Sequence, residues 1–312
     1  MIKGTYIFSQ DGQEIYRSKN VITKFGKRFF TNFIAGNIND LEKDMAFGIG
    51  STAASEDDTR LEFEFYRVPV TLGATDIQTA NNVTTYSVIY KTTIPQDVAG
   101  EIKEVGIYPS TRSSINNFDS KFLSDFYDSL DWKDENNNNP QFATTGVKVG
   151  DNVLTMTSNS TSARQYTQEI DPIDFSGYSV YDSIKLAFYR NDVRLSSVKV
   201  RFYSSNNGYY EITLSPSASI GYYLSPDILM STVFAGATTT PAPDRTAINK
   251  IGIIITPTTG NETSIGMDGL RINDEDTFDP SFGLISRSVL ATALSKATGR
   301  AVDVEYKLDL DF

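Results

Sequence analysis

The sequence predicts a mainly β protein: an antiparallel β outer domain with one helix, interrupted by an inserted jelly-roll-like β-sandwich. Three observations carry that reading. Runs of β-branched and aromatic residues are short and are separated by Gly, Pro and Asn, the punctuation of antiparallel sheets. The last stretch, "AVDVEYKLDLDF", alternates Val302, Val304, Tyr306, Leu308 and Leu310 with Asp303, Glu305, Lys307, Asp309 and Asp311. Period two with one apolar face is a half-buried antiparallel strand, and it needs a sheet to join. Finally, the texture changes near Ser113 and changes back after Asp279. The economical arrangement is a discontinuous outer domain, 1–112 with 280–312, and an inserted sandwich, 113–279, since insertion is tolerated in exposed host loops.

In chain order, "GTYIFSQDGQEIYRS" reads as two strands around the Asp11-Gly12 turn, a strong hairpin signal. "NVITKFGKRFFTNFIAG" spaces Val21, Phe25, Phe29 and Phe33 four apart, with Ile22, Phe30 and Ile34 beside them. That is one apolar helical stripe, with Asn20 as N-cap and Gly36 as the stop. The strands "MAFGIG", "LEFEFYRVPV", "VTTYSVIYKTTIP" and "EIKEVGIYP" follow. "STRSSINNFDS" reads as a linker, and the asparagine-rich "KDENNNNPQF" as an unpacked excursion. The insertion then offers seven strands: "NVLTMTS", "RQYTQEI", "SIKLAFYR", "VKVRFYSS", "YYEITLS", "KIGIIITP" and "IGMDGLRI". Seven strands between turn signals suit two packed sheets. "FAGATTTPAPDRT" reads as a surface loop.

Composition excludes much chemistry. With no cysteine and no histidine there is no disulfide, no thiolate nucleophile and no histidine-based triad or zinc site. A net charge of −11 opposes nucleic-acid binding, which needs a basic face. The start, "MIKGTYIFSQDGQ", is no secretory signal, and the apolar run "IGIIIT" is too short to span a bilayer. The expectation is a protein made in the cytoplasm with no membrane insertion. The enzyme option left is a carboxylate pair, and 39 acidic residues single none out.

"MAFGIGSTAASEDDTRLEFE" looks at first like a phosphate-binding glycine loop. It lacks the lysine and the helix of a Walker loop, and Glu56, Asp57 and Asp58 would repel a polyphosphate. Two glycines easing a strand into a loop is the plainer reading, with Asp58 capping or pairing with Arg60 or Arg67.

Taken together, the helix opening at Asn20 to Gly26, the G-x-G strand, the acidic loop Asp58 to Leu61 with Arg67 after it, the "EVGIY" strand and the late "SRSVL…KATGRAVDVEY" form a set. This set resembles the tail-fibre, collar and baseplate-associated domains of tailed-bacteriophage virions, over 1–112 and 280–312. The resemblance implies a non-enzymatic structural subunit located in the virion, with other virion proteins as partners. It also implies a homo-oligomer, a trimer as first expectation, built through the outer domain where "EFEFYRVPV" presents apolar residues on both faces. The alternatives are a capsid decoration or head-fibre protein and a glycan-cleaving tailspike. The insertion resembles carbohydrate-binding jelly rolls, which implies host-surface polysaccharide as a ligand. Trp132, Tyr209, Tyr210, Tyr222 and Tyr223 are then the glycan-stacking candidates, and alternation in "NNGYYEI" sends one of Tyr209 and Tyr210 to the core and the other outward. The same resemblance implies a structural calcium held by Asp268, with Asp119, Asp125 and Asp128 as further oxygen donors.

Overall fold

The computed structural model describes residues 2–37, 43–80, 83–109, 121–158, 162–216, 219–258, 262–273 and 283–311. From the amino terminus come β1 (Ile2–Gln10), β2 (Gln13–Lys19), β3 (Val21–Ile22), α1 (Lys24–Ile34), β4 (Lys43–Gly48), β5 (Glu64–Ala80), β6 (Val83–Ile94) and β7 (Gly100–Pro109). The middle of the chain forms β8 (Lys121–Ser124), β9 (Trp132–Asp134), β10 (Gln141–Ala143), β11 (Val153–Ser158), β12 (Arg164–Ile173) and β13 (Ser183–Arg190). It continues with β14 (Leu195–Ser204), β15 (Tyr209–Leu214), β16 (Gly221–Leu224), β17 (Ile228–Leu229), α2 (Met230–Ala235), β18 (Ile248–Pro257) and β19 (Thr263–Asn273). β20 (Ser286–Lys296) and β21 (Val302–Asp311) close the chain. The chain divides into two compact units, Met1–Ile115 with Asp276–Phe312, and Asn116–Glu275.

The outer unit is one nine-stranded antiparallel sheet in the order β2-β1-β21-β6-β5-β4-β7-β20-β3. β21 lies between β1 and β6, and β20 pairs with β7 and β3, so both late strands join strands from the first segment. The sheet curls until its ends meet. Ser18 and Ser288 hydroxyls bond at 2.6 Å, the Ser288 hydroxyl donates to the Lys19 carbonyl, and the Tyr6 and Ser286 hydroxyls bond at 2.7 Å. In β21 the alternation predicted for 301–311 is visible residue by residue: Val302, Val304, Tyr306 and Leu308 are buried and Asp303 is exposed. Each such side chain contributes about 1.5–3 kcal/mol on burial, and Tyr6 and Tyr306 add a ring contact at 4.8 Å.

The Asp11-Gly12 turn has positive φ at both residues (52° and 77°), as a two-residue hairpin requires. α1 departs from expectation at its start. Thr23, not Asn20, is the N-cap, its hydroxyl accepting from Gly26 N–H at 2.9 Å while also donating to the Leu284 carbonyl. Asn20 instead donates to the Tyr306 hydroxyl, and Val21 and Ile22 belong to β3. Gly36, at φ +74°, follows the C-cap as predicted. The apolar stripe is covered along most of its length and open at its end: Ile22 and Phe29 are buried, Phe25 and Phe30 are half-buried against the core, and Phe33 and Ile34 are exposed.

The glycine loop does cradle an anion, and the anion is the protein's own. The Glu104 carboxylate, fully buried on β7, accepts N–H bonds from Gly50, Phe63 and Glu62 at 3.0, 2.8 and 2.9 Å. A Cβ at Gly48 or Gly50 would lie 2.5 Å from Glu104 Oε1, so glycine is what lets the carboxylate approach. Arg287 on β20 completes the group: its Nε donates to Glu104 Oε2 at 3.0 Å, and Nη2 lies 2.8 Å away outside hydrogen-bonding angle. Asp58 caps the local turn by accepting the Ser55 N–H at 2.9 Å, but its ion pair is with Arg287 at 2.9 Å rather than with Arg60 or Arg67, and Arg67 pairs with Glu64. The expected local pairing loses to a partner 229 positions away.

The inserted unit is a sandwich of two antiparallel sheets. One runs β10-β11-β19-β13-β16, with β8 on β19 and β17 on β13, and the other runs β15-β14-β18-β12-β9. A single core fills the space between them, with Leu154, Leu186, Phe188 and Met267 from one sheet against Val200, Phe202, Ile251 and Ile253 from the other. All seven predicted strands form. Five more, β8, β9, β10, β16 and β17, have two to four residues, too short to show a period. The asparagine-rich stretch is exposed from Glu135 to Asn138, as expected, but it is organised by hydrogen bonds to one buried carboxylate. Asp134 is buried and accepts from Asn136 and Asn138 N–H at 2.9 and 2.7 Å, from the Asn138 amide and from Arg164. Asn139 donates to the Ser129 and Trp132 carbonyls.

Candidate functional site

The five predicted aromatics go to different places. Trp132 is fully buried and stacks on Phe126 at 5.0 Å, and Tyr210 is buried against Phe234, so neither presents a face for a sugar. Tyr223 is half-buried and packs on Phe188 in the core. Tyr222 is half-buried and donates its hydroxyl to Asp268. Tyr209 faces outward, so the alternation read at Tyr209-Tyr210 resolves with Tyr210 inside.

Tyr209 stands on an organised surface, the outer face of the sheet β15-β14-β18-β12. On β14 the residues Val198, Val200 and Phe202 enter the core, which by the period of two turns Lys199, Arg201 and Tyr203 outward. Register places Tyr203 opposite Tyr209 and Arg201 opposite Glu211 on one side, and Arg201 opposite Gly252 on the other. The two tyrosine rings meet at 5.2 Å, and the Arg201 guanidinium lies 4.3 Å above the Tyr209 ring. Such a cation–ring contact contributes about 0.5–1 kcal/mol at an open site. Gln165 from β12 donates to the Tyr203 hydroxyl at 2.9 Å and accepts from Arg201 at 3.2 Å. Gly252 leaves the room for this: a Cβ there would lie 3.0 Å from Tyr203 Cε2.

Charge on the face is fixed. Burial works against the Glu211 carboxylate, but Lys199 and Arg201, both at 2.7 Å, outweigh it and hold its pKa below the ordinary value. Burial likewise works against Arg201, while Tyr203 and Glu211 hold it above its ordinary value. The result is a rigid platform: two half-exposed aromatic rings flanked by a cation, an amide and an ionised carboxylate. Tyr203 and Gln165 are absent from the predicted set. The alternation of "VKVRFYSS", with Arg201 and Tyr203 on one face, is the signal that finds Tyr203.

Among the described residues the predicted calcium ligands make separate contacts. Asp125 accepts from Tyr127 N–H and Asp128 from Leu130 N–H, each closing its own local turn, and Asp119 lies outside the described residues. Asp268, on β19, is buried and ringed by donors: Lys148 N–H at 3.0 Å, Val149 N–H at 3.1 Å and the Tyr222 hydroxyl, with Lys148 Nζ over the Tyr222 ring. N–H and O–H donors suit an anion, whereas calcium requires oxygen ligands. Among the described residues no group of three or more acidic side chains could hold a metal, and no helix is long and apolar enough to cross a membrane.

Burial pushes the Asp268 carboxyl from 3.8 up to about 7, against the pull of Tyr222, Lys148 and Val149. A folded-state pKa above the unfolded one means that the folded protein binds the extra proton. This contribution to stability is therefore present in full below about pH 3.8 and is lost as pH rises through about 7. Between those values the wild type should lose stability by up to ~1.4 kcal/mol per pH unit relative to Asp268→Asn. Urea denaturation of both proteins at a series of pH values measures the difference, and parallel curves would refute it.

No family model matches the chain, and no curated protein matches it. Among solved structures, a family 11 carbohydrate-binding module from Clostridium thermocellum, in complex with a β-1,3-1,4-mixed-linked tetrasaccharide, is similar at 14% identity and TM-score 0.37, over 51% of this chain and 98% of that one. A carbohydrate-binding module specific for non-crystalline cellulose is similar at 18% identity and TM-score 0.30, over 48% and 92%. An exo-β-agarase is similar at 13% identity and TM-score 0.38, over 52% and 26%. Likeness at this level carries no ligand across.

Proposed function

We propose that this chain is a non-enzymatic adhesion protein whose outer unit docks to a larger assembly and whose inserted sandwich contacts carbohydrate. The observation that carries the reading is the Tyr203–Tyr209–Arg201–Gln165 platform. Sugar rings present C–H faces that stack on aromatic faces, and fixed polar groups beside them select hydroxyl positions. Glu211 favours binding over cleavage. Glycosidases use one carboxyl as a proton donor beside a second about 5–10 Å away, and Glu211 has both oxygens tied to cations and a lowered pKa. The setting is a tailed-phage virion, in the tail, neck or baseplate, by resemblance of the outer segments. A capsid or head-fibre position is the alternative, and a reconstruction of the particle separates them.

A shallow platform of this kind binds weakly, with a dissociation constant near ~1 mM, about −4 kcal/mol. Multiple copies on one particle raise avidity well above that. Affinity electrophoresis of the full chain in bacterial surface polysaccharides and soluble β-glucans should show retardation. Tyr209→Ala should weaken it about tenfold, the loss of one stacking contact, while the protein stays folded with a melting temperature lowered by only a few degrees. If the wild type is retarded by none of them, or Tyr209→Ala is retarded equally, the platform is not a glycan site.

A further inference from the structure

The outer unit carries a second surface, at the far end of the β5–β6 hairpin. β4 covers β5 from Glu64 to Val70, and β6 flanks β5 on its other side from Thr71 to Ala80. Among the described residues no strand pairs with the β4 side of Thr71–Ala80. An edge left open over that length among the described residues invites pairing, and natural sheets blunt such edges with lysines, prolines or inward charges. Here ten residues, "TLGATDIQTA", hold one charge, Asp76, and no proline.

An apolar row runs across the sheet to this edge. Ile77, Tyr86, Leu310 and Ile2 are register partners on β5, β6, β21 and β1. Ile77 is 64% exposed, Tyr86 44% and Ile2 37%. Two residues inward along β21 the same face is core: Leu308 and Tyr306 are buried. The core face of the sheet thus continues past its own covering. The segment that the sequence singled out for self-association, 62–70, is mostly buried or half-buried, with Phe65, Tyr66, Val68 and Val70 packed on the core.

The edge sequence indicates what covers it. Thr75-Asp76-Ile77-Gln78-Thr79 reads nearly the same in both directions about Ile77. In an antiparallel pair around a two-fold normal to the sheet, faces match only when residues of the same parity oppose one another. Centred on Ile77, that pairing sets Ile77 opposite Ile77, Thr75 opposite Thr79, and Asp76 opposite Gln78. Gln78 donates to Asp76 within each strand at 2.7 Å, the pairing sets these two carboxylate–amide pairs side by side, and no Asp76 directly opposes another. The two apolar rows join end to end in the same step. In a chain of net charge −11, a nearly uncharged, self-complementary edge is the place where two copies can meet.

We infer that the protein forms a two-fold dimer by antiparallel pairing of Thr71–Ala80 with the same edge of a second copy, centred on Ile77. Sedimentation of the full chain at tens of micromolar should show a dimer. Ile77→Lys, an exposed position that leaves the fold intact, should weaken dimerisation about tenfold or more, because it sets like charges face to face. The natural chain has no cysteine, so single cysteines report the register. Directly opposed residues have Cβ atoms ~4.5–5.5 Å apart, and Ile77→Cys should cross-link under oxidation. Thr75→Cys should not, being four residues out of register with its mate, ~13 Å away. A monomer or a trimer, a dimer indifferent to Ile77→Lys, or equal cross-linking of the two cysteine variants would each overturn the inference.

Discussion

Replacing Glu104 with alanine should cost about 3–5 kcal/mol, the usual penalty for removing one partner of a buried ion pair. Glu104 is fully buried, and its carboxylate serves three backbone N–H groups and Arg287, itself 3% exposed. Without it, the Gly50, Glu62 and Phe63 N–H groups lose their acceptor and Arg287 keeps only Asp58. Glutamine should recover part of the loss, since its carbonyl still accepts while its amide faces donors. Urea denaturation ranks the three proteins. An alanine variant within 1 kcal/mol of wild type, below the range of a broken buried pair, would show that water has replaced the carboxylate.

The matching experiment in the sandwich is Asp134→Ala, with a similar expected loss of about 3–5 kcal/mol. Asp134 pairs with buried Arg164 and fixes the turn after β9 by accepting the Asn136 and Asn138 N–H groups. Burial alone would raise its pKa, but the Asn138 and Asn136 donors and Arg164 outweigh it and hold it low. With a depressed folded-state pKa, this stability is present above the unfolded value and is lost as pH falls through the folded one. The wild type should therefore approach the alanine variant in acid. A gap between the two that stays constant down to strongly acid pH would refute this account.

Both groups show where sequence reading stops. β21 is legible because one strand's burial is written in its own period of two. The Asp11-Gly12 turn and the Gly36 stop are legible because each is a local backbone requirement. The Thr23 cap is not: its hydroxyl is held by Leu284, some 260 positions away. The glycine loop yields its non-nucleotide character from the missing lysine, but its real anion arrives from β7. The asparagine run reads as an unpacked excursion because its polarity is visible and the buried carboxylate that organises it is not. At the platform, Tyr209 is legible by alternation. Trp132 is misread because an aromatic identity does not reveal which side of a short strand it occupies.

The insertion leaves the outer unit from the end of β7 and returns at the start of β20, two strands paired to each other through Ile107 and Ser286. Any tension on the sandwich is therefore delivered to adjacent ends of one antiparallel pair. That is a peeling geometry, which loads hydrogen bonds in sequence instead of all together and yields at low force. The next pair along the seam sets Arg287 opposite Gly106, and Arg287 reaches diagonally to Glu104, two residues further along β7. A charged, dry contact that joins the two strands just behind the point of loading acts as a crack-stopper. If the chain is the adhesion protein proposed above, this contact resists load as well as stabilising the fold at equilibrium.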